Sequence, residues 1–422
     1  MKPLDEWLEN IQKTHPKDWD LGLERVGEVA RRLDVLHPGI TCFLIAGTNG
    51  KGSACETLAQ LCRATNRSYG KTTSPFFLHY NEQIEINGEA VPDTELVSAF
   101  ESIAKAADEI SLSYFEYGAL AAMLLFQQAK VDVAIFEVGL GGRLDAMNVI
   151  EPDVSIITRI ALDHQDWLGE NREAIGFEKA GIMRSNKPVV VMDDDCPTSV
   201  LEHAAALNSE LRLVGRDFDY GHDQLSVNTR HYSVPQTQLP LPSAIGAVVG
   251  FLEAGFEVSQ DELTRALEVA SLPGRFQIIG NKPVTVMDVC HNPDAAEYLA
   301  KKLVQIPDVD EWHFVIGIYR DKDQGGIFHN LSPLRSTWYF CDLPGPRGAD
   351  AIDLSRVLHE TCGLSSQTYD KVSSALDAAI YTVKNAVKND VELRQGIAIL
   401  GSFSTVGAAL QHLNLDVTEA TH

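Results

Sequence analysis

Short apolar runs alternate with amphipathic stretches along most of the chain. Residues 40–46, 131–138, 153–160 and 188–192 are rich in apolar residues, the pattern of strands buried on both faces. Residues 94–108 and 115–129 repeat apolar positions at helical spacing. Alternation of this kind predicts a parallel sheet with helices on both faces. The pattern changes at 211–242, where "HYSVPQTQLPLP" mixes β-formers with proline, and a small hairpin or irregular strand region is expected there. Helical spacing returns at 243–256 and 260–270. A second alternation starts near 283, with strands expected at 283–289, 312–318, 336–341 and 396–401. Its helices are expected at 293–305, 350–360, 370–388 and 404–413. The stretch "SLPGRFQIIGNKP" separates the two blocks. A boundary near 280 gives an expected domain 1–280 and a second of 281–422. The expected fold class is α/β: a parallel-sheet domain followed by a smaller Rossmann-like α/β domain.

Composition narrows the function. The chain has 422 residues, 45% of them hydrophobic and 22% charged, which suits a globular protein of two domains. Its formal net charge of −24 makes it a poor general binder of nucleic acid or anionic membrane. Any anionic ligand has to be held by local donors. Seven cysteines show no CxxC pair and no regular spacing, so they read as reduced core thiols of a cytoplasmic protein. The N-terminal "MKPLDEWLEN" lacks the apolar core of a signal peptide, and no run is long and apolar enough to predict a membrane helix.

Four stretches carry candidate chemistry. "AGTNGKGSA", 46–54, lies between an apolar run and a helical one. Glycines there let backbone N–H groups face an anion at a helix N-terminus. Lys51 is placed to reach the β- and γ-phosphates of a nucleotide, and Ser53 to face magnesium. The usual pattern ends Gly-Lys-Ser/Thr; here Gly52 intervenes, which points to a narrower family. In "IFEVGLGGRLDAMN", 135–148, Glu137 ends a strand, where ligands sit in open parallel sheets and a hard cation wants oxygen. The plain alternative pairs Glu137 with Arg143. In "IALDHQDWLG", 160–169, His164 is either a metal ligand or a strand cap. In "GFEKAGIMR", 176–184, Lys179 by itself reads as a helix-surface lysine.

Taken in order, Gly47-Thr-Asn-Gly-Lys-Gly-Ser53, Glu137-Val-Gly-Leu-Gly-Gly-Arg-Leu-Asp145, Ala161-Leu-Asp-His164, Glu178-Lys-Ala-Gly-Ile182, Pro273-Gly-Arg275 and Asp288-Val-Cys-His-Asn-Pro293 resemble the Mur ligase superfamily. The resemblance is closer to its folylpolyglutamate synthase and bifunctional dihydrofolate synthase branch, and runs from "DLGLERV" at 20–26 to "GSFSTVGAAL" at 401–410. It implies an enzyme that uses ATP to join a carboxylate to L-glutamate through an acyl phosphate. The carboxylate would be dihydropteroate or a reduced folate, and the enzyme a monomer. By the same resemblance, Thr48, Asn49, Gly50, Lys51, Gly52 and Ser53 would hold ATP phosphates. Ser74, Glu137 and His164 would bind two magnesium ions. Lys179 would be carbamylated and act as a further magnesium ligand. Arg275 would clamp the transferring phosphate and Asp288 would bond the nucleotide ribose. His291, beside Asn292, would face the incoming glutamate or the acyl phosphate. Asp18, Trp19, Asp20 and Leu21, with Ser113, Tyr114, Phe115 and Glu116, and with Leu144, Asp145 and Ala146, would contact the pterin. Core packing is the alternative for Phe115.

Four positions depart from the family pattern. Phe76 stands where histidine follows Ser-Pro, Gln83 where an "NER"-like run has arginine, Ser243 where an asparagine meets adenine, and Ser404 where a "GSFH"-like run has histidine. Three readings follow: the bifunctional enzyme, a folylpolyglutamate synthase alone, or a folate- or nucleotide-binding paralogue without ligase activity.

Overall fold

The structure, a computed structural model, describes residues 3–15, 20–36, 39–388 and 394–415. The chain folds as two compact units. One comprises residues up to 161 together with 165–270. The other comprises 162–164 together with residues from 271 onward.

The first unit is built on strands β1 (Thr41–Ala46), β2 (Tyr69–Thr72), β3 (Ile84–Ile86), β4 (Glu89–Ala90), β5 (Val133–Glu137), β6 (Val154–Ile157), β7 (Pro188–Val191) and β8 (Glu210–Leu213). They form one sheet in the order β4-β3-β2-β5-β1-β6-β7-β8. From β2 to β8 every pairing is parallel, and β3 and β4 add an antiparallel edge. Central strand β1 shows why the apolar runs are continuous. Cys42, Leu44 and Ala46 enter the core on one face, while Phe43 and Ile45 enter the core on the other. With both faces covered, every side chain of the strand is apolar or small.

Two sequence expectations need correction in this unit. Residues 210–213, the start of the stretch expected to be a hairpin, instead extend the parallel sheet as β8. The alternating Glu210 and Arg212 disguise it, because an edge strand can leave one side wet. The antiparallel strands begin only afterwards, as β9 (Phe218–Tyr220), β10 (Gln224–Val227) and β11 (Arg230–Ser233). Strand β2 was not expected at all. It is fully buried yet contains Lys71, and a central charge hides a strand from hydrophobicity.

The second unit has strands β12 (Gln277–Asn281), β13 (Val284–Asp288), β14 (Glu311–Gly317), β15 (Ser336–Cys341), β16 (Ser366–Tyr369) and β17 (Gln395–Gly401), ordered β12-β13-β17-β14-β15-β16. The sheet is mixed: β12 runs antiparallel to β13, and the remaining pairings are parallel. β12 lies inside the Pro/Gly stretch expected to be a separator. A core of Phe314, Phe328, Trp338 and Phe340 fills one face. Among the described residues no helix is long and apolar enough to cross a membrane.

Candidate active site

The phosphate loop is a tight left-handed turn between β1 and the helix Lys51–Ala64. Gly50 caps that helix with φ 86° and ψ 3°, a region that side-chain-bearing residues avoid. A Cβ on Gly50 would also overlap Ser243 Oγ, so Ser243 packs directly under the loop. The carboxyl end of β6 braces the same turn. Thr48 N–H donates to Arg159 O at 2.7 Å, Thr158 Oγ1 donates to Asn49 O at 2.7 Å, and Thr48 Oγ1 donates to Ala161 O at 3.0 Å. The sequence reading missed Thr158 and Arg159, although their place just after a strand was a usable signal.

Lys51 Nζ donates to Gly47 O at 3.2 Å and stands 4.0 Å from Glu137 Oε1. Glu137 Oε2 accepts from Ser74 N–H at 3.2 Å. Lys51, Ser74 and Glu137 therefore meet at one corner. Ser53 is 1% exposed, and its Oγ has no hydrogen-bond partner. A buried hydroxyl without a partner is costly unless a ligand completes it. Among the described residues no group of three or more His, Cys, Asp or Glu could hold a metal. Ser53, Ser74 and Glu137 carry oxygens of the hard kind that magnesium prefers.

Arg143 does not pair with Glu137. It grips Glu178 through Nε at 3.1 Å and Nη2 at 2.8 Å. Lys179, next to Glu178 in the helix Arg172–Ala180, is 2% exposed, which overturns its reading as a surface residue.

The three segments expected at the pterin site are tied together. Arg25, singled out by no sequence argument, holds Asp20 at 2.8 Å with Nη1 and Glu116 at 3.1 Å with Nη2. Gly22 N–H donates to Leu144 O at 3.1 Å. Ser113 and Glu116 form a reciprocal capping box on the helix Tyr114–Ala129, so both have a structural task. Tyr114 makes an edge contact with Tyr80 at 5.4 Å. Half-buried Phe115 lies under Gly139, where a Cβ would come within 2.6 Å of its ring. Asp145 accepts from Leu140 N–H at 2.9 Å and Met147 N–H at 3.0 Å. Burial pushes its carboxyl up to about 6, against the pull of those donors. Half-buried Leu21 and buried Ala146 pack with the same core. Asp18 and Trp19 lie outside the described residues.

In the second unit, Arg275 lies over the Phe403 ring at 5.5 Å. Asp288 accepts from Phe276 N–H at 2.8 Å. Loss of solvent pushes its carboxyl up to about 6, opposed by Arg275 and backbone donors. Asp163 gathers the rest. Lys322 Nζ reaches it at 2.6 Å, His291 Nε2 at 3.5 Å and Asn292 Nδ2 at 3.2 Å. Burial would raise the Asp163 carboxyl, but the His291 hydrogen bond and the charges of Lys322, His291 and His164 hold it far below the usual range. His291 Nδ1 donates to Val289 O at 2.8 Å, since a carbonyl can only accept, and this turns Nε2 toward Asp163. Lys322 also stands 3.3 Å from His164 Nε2. Asp163 and Lys322 were missed. One precedes His164 in sequence, and the other follows the carboxyl end of β14.

Three of the departing positions have local contacts. Phe76 joins an aromatic contact with Tyr80 at 6.0 Å. Glu82, beside Gln83, accepts from the N–H groups of Phe77, Leu78 and His79 at 2.6–2.8 Å, which fixes the loop. Gln83 O accepts from Thr73 N–H at 3.0 Å. Ser404 Oγ is 2.6 Å from Tyr319 OH.

A parallel-rich sheet carrying this phosphate loop, followed by a unit with a mixed sheet, defines an ATP-dependent ligase of the Mur type. Residues 45–241 match the Mur ligase middle domain, and 274–396 match the Mur ligase glutamate ligase domain. The chain is 40% identical over 415 residues to dihydrofolate synthase/folylpolyglutamate synthase of Escherichia coli, covering 97% of this chain and 95% of that protein. The Haemophilus influenzae protein of the same name is 38% identical, covering 96% of each. Escherichia coli FolC in complex with DHPP and ADP superposes with a TM-score of 0.92 at 39% identity, covering 98% of both chains. A bifunctional folylpolyglutamate synthase/dihydrofolate synthase with Mn, AMPPNP and L-glutamate bound gives 0.91 at 38%, covering 98% of this chain and 99% of that one. The chain belongs to the dihydrofolate synthase/folylpolyglutamate synthase family of Mur ligases.

Proposed function

We propose that this chain condenses L-glutamate with dihydropteroate to give dihydrofolate, and then lengthens reduced folates with further glutamates, using ATP. The observation that carries the reading is the corner where Lys51 stands 4.0 Å from Glu137, close to a buried Ser53 Oγ that has no protein partner. Relatives of this family hold ADP or AMPPNP together with DHPP or L-glutamate.

The chemistry has two stages. A carboxylate oxygen of the folate attacks the γ-phosphorus, the bond to ADP breaks, and an acyl phosphate forms. The glutamate amine then attacks the acyl carbon, phosphate leaves, and the amine gives up a proton. Thr48 to Ser53 hold the nucleotide phosphates through backbone N–H groups, and Lys51 offsets charge on the transferring oxygens. Ser74, Glu137, His164 and a Lys179 carbamate would hold magnesium, which would supply further charge neutralisation. The carbamate forms when the neutral Lys179 amine adds carbon dioxide and releases a proton. Arg275 clamps phosphate, Asp288 holds the ribose, and His291 meets the incoming glutamate. Arg25 positions Asp20 and Glu116 for the pterin. With so little covalent work for the protein, positioning sets the rate.

The test is ADP release with magnesium-ATP and glutamate, using dihydropteroate in one reaction and tetrahydrofolate in another, with products read by mass. Turnover in both is expected. Turnover with tetrahydrofolate alone restricts the enzyme to chain extension. Nucleotide binding without turnover in either overturns the proposal in favour of a binding paralogue.

A further inference from the structure

The first unit buries an ionic group that the proposed chemistry does not use. Lys71, in the middle of β2, is 5% exposed, and its Nζ contacts Glu56 on the phosphate-loop helix and Glu85 on β3, the latter at 3.0 Å. Tyr69 OH donates to Glu85 Oε1 at 3.1 Å, and Gln60 Nε2 donates to Glu56 Oε1 at 2.7 Å. One lysine thus meets two carboxyl groups, with Lys71 and Glu56 buried and Glu85 half-buried. Such groups add little stability over apolar residues of similar volume, because desolvation offsets their attraction. What they do supply is directional fixing of one element against another.

The elements fixed here lead to the candidate metal corner. Glu56 sits three residues after Ser53 in the same helix, so both side chains lie on one face. Lys71 sits three residues before Ser74, whose N–H donates to Glu137. The pairing of Lys71 with Ile135 and Thr72 with Phe136 carries the same registration into β5, which ends at Glu137. The triad therefore joins the helix bearing Ser53 to β2, which leads to Ser74 and pairs through its backbone with the strand that ends at Glu137.

We propose that Lys71, Glu56 and Glu85 are positioning residues that fix the separation between Ser53 Oγ and the Ser74–Glu137 corner, and thereby set how strongly a divalent cation tightens nucleotide binding. The proposal rests on the reading of Ser53, Ser74 and Glu137 as the metal corner. None of the three is among the residues assigned above to nucleotide or folate, so their loss should leave folate binding alone.

The test is isothermal titration of the full chain with ADP, with and without magnesium, and with tetrahydrofolate. The main variant combines Lys71→Met, Glu56→Gln and Glu85→Gln, which removes all three charges and roughly keeps volume. Its fold is checked by circular dichroism and its urea midpoint. The expected result is native affinity for ADP alone and for tetrahydrofolate, with the magnesium enhancement reduced about tenfold or more, the size seen when outer partners of metal ligands are lost. A folded variant with the native enhancement overturns the proposal. Lys71→Arg keeps the charge but lengthens the link, and it serves if the triple variant does not fold. A partial loss of the enhancement is expected, and an unchanged one overturns the proposal. Ser53→Ala separates the two layers of the argument. If it leaves the enhancement intact, the metal corner itself is misread. If it removes the enhancement while the triad variants do not, only the positioning role fails.

Discussion

Gly50→Ala tests the geometry of the phosphate loop at its tightest point. The residue has φ 86°, where a side chain costs about 1–2 kcal/mol. The new methyl also overlaps Ser243 Oγ, and Ser243 is 4% exposed with little room to yield. Driving it off its rotamer costs about 0.5–1.5 kcal/mol, and crowding a packed site costs about 1–3 kcal/mol. With the rotamer cost counted inside the crowding, Gly50→Ala is thus expected to destabilise the fold by about 2–5 kcal/mol. Ser243→Ala removes the offending hydroxyl but not the backbone strain. The double variant should recover most of the steric part, up to about 1–3 kcal/mol, and keep the backbone part. The assay is urea unfolding followed by circular dichroism, read at the transition that added ADP shifts, because that transition reports the unit holding the loop. Strict additivity of the two substitutions would refute the reasoning, since it would mean that Gly50 and Ser243 do not share the space.

Three further outcomes are expected. Lys179→Arg keeps a buried cation but cannot form a carbamate, so kcat should fall about 100-fold or more; native activity should also drop in bicarbonate-depleted buffer and return when bicarbonate is added, and indifference to bicarbonate would count against the carbamate. Asp145→Asn should change the pH dependence of stability. The native carboxyl is raised from 3.8 to about 6, so the folded state binds the extra proton, and the associated stability is full below pH 4 and lost as pH rises through 6. The native chain should lose about 3 kcal/mol relative to the variant between those limits, and parallel urea midpoints from pH 4 to 7 would rule the effect out. Arg25→Ala breaks the charge-assisted link from Asp20 to Glu116, so KM for dihydropteroate should rise about tenfold or more while KM for ATP stays level; equal shifts in both would show a general loss of structure.

Periodicity and turn chemistry made much of this protein legible in advance. Continuous apolar runs announce β1, β5 and β7 because a strand covered on both faces has no side left for polar residues. Gly47 to Ser53 announces a phosphate loop because only a few residue types can make that turn. Each of these signals is contained in one short stretch, and no knowledge of the rest of the chain is needed to read it. β2 and β8 escaped because Lys71, Glu210 and Arg212 break the apolar pattern, and their charges are explained only by neighbours from elsewhere.

What the tertiary structure alone decided is which charge meets which, and which is dry. Arg143 goes to Glu178 and leaves Glu137 to Lys51 and Ser74. Lys179, polar in sequence, is buried. Asp163 collects Asn292 from 129 residues away and Lys322 from 159. The physical reason is one of range. Backbone preference and hydrophobic period act between near neighbours, whereas the partner of a charge and the solvent it loses depend on where the folded chain brings distant segments.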